Sequence, residues 1–292
     1  MKYKLPQILF LGTAALLVSG LVALADPLIK SGEKVAFLGD SITAQGAGSP
    51  GGYVQLVISG LKANNINVAA IPAGIGGHKS NDMLQRIDKD VIEKKPDWMT
   101  LSCGVNDVWH GARGVPFDAY KANITEIVNR AEAAGIKVMI LTSTMIQEDP
   151  SQAPNVTLEG YNDFLRSLAV ERKIPLADLA SEMRTAIAAK EFPQPDGNYL
   201  TVDGVHMNPL GNEMMAFGVL KAFGLNDAQL AAAKEAWQDI PGANEIPASV
   251  RLSLRQYKAL IGRAVQERKN LRTLMNELLL SAVQEGSRPI QP

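Results

Sequence analysis

The sequence predicts an α/β fold built on a parallel central sheet, followed by a helical extension. Two observations carry this. Short β-type runs alternate with amphipathic segments, the order expected of βαβ units. Breakers fall between them, with Gly135 placed to cap one helix and Pro96 to end another. At 292 residues, 46% of them hydrophobic and 20% charged, the chain has globular composition and enough apolar residue to bury a core.

The elements follow in order. Lys2 and Lys4 precede an apolar run from Ile8 to Leu24, and Ala23-Leu24-Ala25 is the small-x-small pattern of a leader cleaved after Ala25. Residues 1–25 are therefore read as a signal peptide, which places the mature chain outside the cytoplasm, secreted or periplasmic. An uncleaved anchor is the alternative, because the run approaches the roughly 20 apolar residues of a membrane span. Nothing later resembles a span, so no stable membrane insertion is expected after cleavage. Strands are expected at Lys34–Leu38, Asn67–Ile71, Asp97–Cys103, Ile136–Thr142 and Ile174–Ala177. Helices are expected at Tyr53–Lys62, Asn81–Glu93, Phe117–Ala134, Leu158–Glu171 and Asn212–Phe223. Leu56, Val57, Gly60 and Leu61 share one helical face, as do Ile124, Ile127, Val128 and Ala131. The main domain is thus read as residues 26–224.

Residues 225–292 form the expected extension: a helix at Asp227–Trp237, a break at Pro241-Gly242, and one long helix over Ser249–Val283. Its stripe of Val250, Leu254, Tyr257, Ile261, Ala264, Leu271, Met275, Leu278 and Ala282 is interrupted at Arg268. Such a stripe needs a cover, either the parent domain or, in a sharper reading, another copy through self-association or a partner.

Charge and cysteine usage exclude several classes. The 29 basic and 30 acidic residues balance to −1, and removing Lys2 and Lys4 leaves 27 against 30, or −3. That lacks the basic excess of a nucleic-acid binder. The single cysteine, Cys103, rules out an internal disulfide framework and a CxxC centre; in its apolar run it reads as a small core residue. Three histidines without HExxH predict no metal, and nothing predicts an organic cofactor. Gly46-x-Gly48-x-x-Gly51 matches a dinucleotide pattern, yet it lies well past the strand end and contains Pro50.

The chemistry gathers in four blocks: Gly39-Asp40-Ser41, Gly74-Ile75-Gly76-Gly77, Gly104-Val105-Asn106-Asp107 and Asp203-Gly204-Val205-His206. All follow strands or lie in loops of one sheet, so they can converge at its carboxyl end. A serine nucleophile needs a base, the base needs an acceptor on its other nitrogen, and a tetrahedral oxyanion needs donors. Ser41, His206 and Asp203 can fill the first three roles. Ser41 N–H, a glycine N–H and the Asn106 amide can supply the donors. His78, Trp109 and His110 flank these blocks as candidate pocket residues, an aromatic face being suited to a sugar ring or an ester alkyl group. Asp40 and Asp107 read as carboxylates that fix their loops.

In this order and spacing the blocks resemble the GDSL/SGNH hydrolase family over roughly Lys34 to Phe223. The resemblance implies a three-layer α/β/α flavodoxin-like fold, Ser41 as nucleophile with Asp203 and His206 as partners, and Asn106 as an oxyanion donor. Aligning Ile75-Gly76-Gly77 with the family's Ile-Ser-Gly makes Gly77 the glycine donor, with Gly76 the alternative. The chain departs from the family at His78 and Pro72-Ala73, and reads Gly-Asp-Ser-Ile for Gly-Asp-Ser-Leu. The implied activity is that of an extracytoplasmic serine ester hydrolase, with O-acetyl groups of a glycan as substrate. A lysophospholipase or other lipid-type esterase, or a silent glycan-binding protein, are the alternatives.

Overall fold

The computed structural model describes residues 26–189, 198–240 and 254–286. The leader over 1–25 and the start of the helix expected from Ser249 lie outside the described residues. Five parallel strands, β1 (Lys34–Gly39), β2 (Ala69–Gly74), β3 (Trp98–Ser102), β4 (Lys137–Leu141) and β5 (Leu176–Ala177), pair in the order β2-β1-β3-β4-β5. This is the flavodoxin-like order, with its switch point between β1 and β3. Val35, Ala36, Phe37 and Leu38 of β1 are fully buried, so the sheet's centre is the core.

The first unit of the chain, which extends to Asn244, contains nine described helices. They are α1 (Ser41–Gly48), α2 (Tyr53–Ala63), α3 (Ser80–Asp90), α4 (Val105–Trp109), α5 (Phe117–Ala133), α6 (Ala153–Arg172), α7 (Leu179–Ala189), α8 (Pro209–Ala222) and α9 (Asp227–Gln238). α2 packs with α1, α8 and α9, and α8 with α7; α3, α5 and α6 pack in sequence as the other layer. The three-layer expectation therefore holds.

Several boundaries differ from the expected ones for identifiable reasons. β2 lies later than Asn67–Ile71, because Lys34 pairs with Ala69 and Gly39 with Gly74. It runs through Pro72, which an edge strand tolerates since a missing N–H can face outward. α6 and α8 start at Ala153 and Pro209 rather than Leu158 and Asn212, each with proline in its first turn. α1, α4 and α7 are absent from the sequence expectation. The first carries Gly46 and Gly48 and little apolar pattern, yet it is anchored by two close approaches. A Cβ at Gly39 would lie 2.1 Å from Thr43 Oγ1, and one at Gly74 would lie 2.3 Å from the Ala44 nitrogen. Only glycine lets α1 sit this close to the ends of β1 and β2.

Helix α9 corrects the expected boundary at residue 224. Leu230, Ala233 and Trp237 belong to the main core, and the Trp237 indole N–H donates to Leu56 O at 2.9 Å. The second unit, Glu245–Pro292, holds α10 (Leu254–Gln266) and α11 (Leu271–Gly286) in place of one long helix. The break falls where the stripe falters. Arg268 turns left-handed (φ +52°), Lys269 N–H donates back to Ala264 O, and Asn270 Oδ1 caps the next helix at Thr273 N. α10 and α11 pack on each other, and Ala264 and Leu274 are buried.

Asp40 joins fold to site. It is the N-cap of α1, accepting from Ile42 N at 2.9 Å, and is only 3% exposed. Burial, with Asp107 nearby, raises its carboxyl to about 6 despite that bond.

Two outcomes follow. Trp237→Ala removes a buried indole and orphans Leu56 O, and should cost about 3–5 kcal/mol, read as a Tm drop of roughly 10 °C; an unchanged melt would show that α9 is not part of the core. For Asp40, the native carboxyl binds its proton more tightly than the unfolded one, so its contribution to stability is full below pH 3.8 and is lost as pH rises to about 6. The stability of Asp40→Asn relative to the parent should therefore improve from pH 4 to 6 by on the order of 1–3 kcal/mol in urea titrations. A difference independent of pH would contradict the buried, raised carboxyl.

Candidate active site

Ser41 is the first residue of α1, directly beyond β1. Its Oγ lies 2.9 Å from His206 Nε2, and His206 Nδ1 lies 2.7 Å from Asp203 Oδ2. The histidine side chain is mostly covered, at 18% exposure, while that of Asp203 is half exposed. Asp203 holds its own loop: Oδ1 accepts from Val205 N at 3.0 Å and from His206 N at 2.8 Å. Partial burial opposes the charge on Asp203, but the bonds from the His206 ring and from both backbone N–H groups outweigh it and hold the carboxyl below its ordinary value. Thr201 and Met207 pair as an isolated antiparallel bridge, and Val202 N donates to His206 O at 2.8 Å, so the loop is a closed hairpin. Oriented this way, His206 can accept the Ser41 proton on Nε2 while Nδ1–H stays on Asp203.

The expected donor blocks lie in two loops next to the Asp40-Ser41 turn. A Cβ built on Gly76 would lie 3.9 Å from Ser41 Cβ, whereas one on Gly77, at φ +75°, has no neighbour within 4 Å. Gly76 is thus the glycine set against the serine. Asn106 is buried, and its Nδ2 donates to His78 O at 3.1 Å and to Asp40 Oδ2 at 3.3 Å. Asp107 Oδ1 accepts from Ser80 N at 3.0 Å and Ser80 Oγ at 2.6 Å, which fixes the start of α3. Burial raises the Asp107 carboxyl, and Cys103, also buried, has its thiol pushed well up by desolvation and by Asp107. Cys103 is thus a core residue carrying no reactive thiolate.

The three pocket candidates separate. His78 joins the centre through its backbone oxygen, and its Nδ1 accepts from Arg86 Nε at 3.1 Å, which leaves the ring proton on Nε2. Burial and the Arg86 charge lower its pKa. Trp109 and His110 stack at 5.9 Å with 26° between their planes, at the far end of the short helix that begins beside Asn106. Trp109 is 43% exposed and borders a cavity of about 460 Å³ together with Val108, Ala112, Pro116 and Pro154.

Two charged residues went unrecognised in the sequence. Arg86 of α3, nearly buried, donates to Gly39 O and Ala73 O, both at 2.8 Å, and pairs with Asp90 at 3.0 Å. It ties the ends of β1 and β2 together. Its only sequence signal is a position beside the apolar face of Met83 and Ile87. Glu148, in the loop after β4, accepts from Tyr199 N, Leu200 N and Thr201 Oγ1 at 2.6–2.8 Å. It has no motif around it. Among the described residues no three His, Cys, Asp or Glu side chains group as a metal site, and no helix is long and apolar enough to cross a membrane.

With this geometry established, comparison places the chain. The acetylxylan esterase of Geobacillus stearothermophilus is 27% identical over 215 residues, spanning 67% of this chain and 96% of that protein. Its crystal structure superposes with a TM-score of 0.61, covering 68% of this chain and 97% of the esterase. Catalytic mutants of that enzyme have been solved at a serine, an aspartate and a histidine, the last two three positions apart. The acetyl xylan esterase AlAXEase, 33% identical, gives the same TM-score over 65% of this chain and 98% of its own. Esterase TesA of Pseudomonas aeruginosa is 29% identical over 164 residues, 56% of this chain and 78% of that one. Residues 37–214, from the end of β1 through the Asp203–His206 loop, match the GDSL-like Lipase/Acylhydrolase family, and the chain therefore belongs to that family and is a carboxylic ester hydrolase.

Proposed function

We propose that this enzyme removes O-acetyl groups from a glycan through a Ser41 acyl-enzyme, outside the cytoplasm after loss of residues 1–25. One observation carries the reaction: the unbroken hydrogen-bond chain from Ser41 Oγ through His206 to Asp203, at 2.9 and 2.7 Å. His206 takes the hydroxyl proton as Ser41 attacks the acyl carbon, then returns it to the departing sugar hydroxyl. Water, deprotonated by the same ring, then releases acetate. Asp203 keeps the imidazole in the productive tautomer and stabilises its charged form.

The oxyanion would be met by Ser41 N–H, by an N–H of the Gly76-Gly77 pair and by Asn106. One amide proton of Asn106 is fixed by His78 O; the other lies on the longer contact to Asp40, the one an oxyanion at Ser41 would compete for. The acetylated-glycan substrate is supported by the two acetylxylan esterases among its relatives and by the exposed Trp109 ring, three residues beyond Asn106, on which a sugar face can stack.

A fluorophosphonate should label Ser41 and no other serine, and Ser41→Ala should fold normally yet lose nearly all activity. Acetyl esters should be cleaved in preference to palmitoyl esters; the reverse order would replace the glycan reading with a lipid-type one. His206→Ala should fold yet lose nearly all activity, since the ring that would accept the Ser41 proton is gone. A folded His206→Ala enzyme with parental kcat would remove His206 as the base. Asn106→Ala should lower kcat by about 10²–10³-fold with little change in KM, because its amide acts on charge that exists only in the transition state. A folded Asn106→Ala enzyme with parental kcat would exclude the amide as a donor.

A further inference from the structure

We propose that Glu148 is a positioning residue for this reaction: it holds the loop bearing Asp203 and His206 in register with Ser41. The inference rests on the serine-esterase reading above. Its basis is one carboxylate facing three donors, all on the three residues that lead into that loop. Glu148 Oε2 accepts from Tyr199 N at 2.6 Å, and Oε1 accepts from Leu200 N at 2.8 Å and Thr201 Oγ1 at 2.7 Å.

The third bond reaches the loop itself. A threonine hydroxyl has one hydrogen, and here it is committed to Glu148, so a lone pair faces the Gly204 N–H, which donates to Thr201 Oγ1 at 3.1 Å. The other side of Gly204 is held by the neighbouring residue, since Gln147 N donates to Gly204 O at 2.7 Å. Both backbone groups of Gly204 are thus set from the 147–148 side, and Gly204 stands between Asp203 and His206. It sits at φ +93°, a conformation that L side chains rarely adopt, with the Gln147 side-chain amide packed against its open face.

The support is itself held. Gln147 and Glu148 are consecutive left-handed residues, at φ +63° and +52°. Non-glycine residues adopt that conformation in succession only where the surroundings enforce it. The enforcing group is Asn155 of α6, which is buried. Its Oδ1 accepts from Ile146 N at 2.8 Å, and its Nδ2 donates to Ile146 O and Asp149 O, both at 2.6 Å. It therefore grips the chain on either side of the left-handed pair. Asn155 of α6 thus fixes the stretch that carries Glu148, and hydrogen bonds run on from Glu148 through Thr201 to Gly204. The contact it protects is narrow, because lengthening the 2.9 Å bond between Ser41 and His206 by about 1 Å would abolish it.

The test compares Glu148→Ala, Glu148→Gln and Thr201→Val in the full chain, well below their melting temperatures. Two readouts are needed: kcat and KM on an acetyl ester, and the far-downfield proton resonance of the His206 N–H shared with Asp203. Glu148→Ala should lose about 10²-fold in kcat with KM nearly unchanged, and its downfield resonance should broaden. Glutamine keeps an oxygen for Leu200 and Thr201 but turns an NH₂ toward Tyr199 N–H, so it should recover about 10-fold of that loss and keep the resonance. Should the alanine variant not fold, Thr201→Val carries the test, since it cuts only the relay to Gly204: a several-fold kcat loss is expected. A folded Glu148→Ala, or failing that Thr201→Val, with kcat within twofold of the parent and an unaltered resonance would overturn the proposal. If Ser41→Ala keeps parental activity, it is the esterase mechanism that fails, and the resonance alone then decides whether Glu148 sets His206.

Discussion

The hydrogen bond between Ser41 Oγ and His206 Nε2 joins residues 165 apart in the chain, and the carboxyl end of the sheet is arranged around that single 2.9 Å distance. A parallel sheet directs every strand's exit to one edge, which brings the blocks within reach but not into register. At the serine end, register comes from the close seating of α1 on β1 and β2, which Gly39 and Gly74 permit, and from Arg86 pinning the carbonyls of Gly39 and Ala73. At the histidine end no strand is available. Asp203 and His206 sit in a hairpin whose shape is set by its own side-chain bonds and by the loop after β4.

The same physical device recurs in all four supporting loops. A carboxylate accepts backbone N–H groups that would otherwise go unsatisfied at the start of an element or a turn. Asp40 does so for Ile42, Asp107 for Ser80, Asp203 for Val205 and His206, and Glu148 for Tyr199 and Leu200. Charge-assisted bonds of this kind are shorter and stronger than neutral ones and hold a loop without a large apolar contact. Their cost is desolvation, plainest at Asp40 and Asp107, whose carboxyls are both raised by burial and which repel one another.

What could be read from sequence divides along the same line. β1, β3 and β4 were legible because apolar runs flanked by breakers have a local signature, Ser41 and Asn106 because their blocks follow strand ends, and Asp203 and His206 because a three-residue spacing lets one loop present both. β2 slipped because the expected run stops before Pro72, although an edge strand admits proline. α1 was illegible because contact with glycine-bearing strand ends, rather than an apolar stripe, holds it in place. The split at Arg268 was visible as an interrupted pattern but not as a left-handed cap. Glu148 and Arg86 left little trace, for each acts on backbone groups from distant stretches, and a backbone acceptor or donor has no residue type to betray it.

The placement of Asp40 sets a buried carboxylate directly beside the nucleophile. A carboxylate one residue from the nucleophile and within hydrogen-bond reach of Asn106 would oppose an oxyanion forming at Ser41, since like charges in a low-dielectric site interact strongly. Two features reduce that opposition. Burial raises the Asp40 carboxyl to about 6, which lowers the cost of its neutral form, and its charged form is already engaged by Ile42 N–H. Arg86, always cationic, donates to the carbonyl of Gly39, the residue immediately before Asp40, and so sets a positive charge under the same turn. Its partner Asp90, one turn along α3, is taken by Nη1, which also donates to Ala73 O, while Nη2 takes Gly39 O. Nη2 thus serves the β1 turn while Nη1 holds the end of β2 and the counter-ion, so one guanidinium braces the turn that carries Asp40 and Ser41.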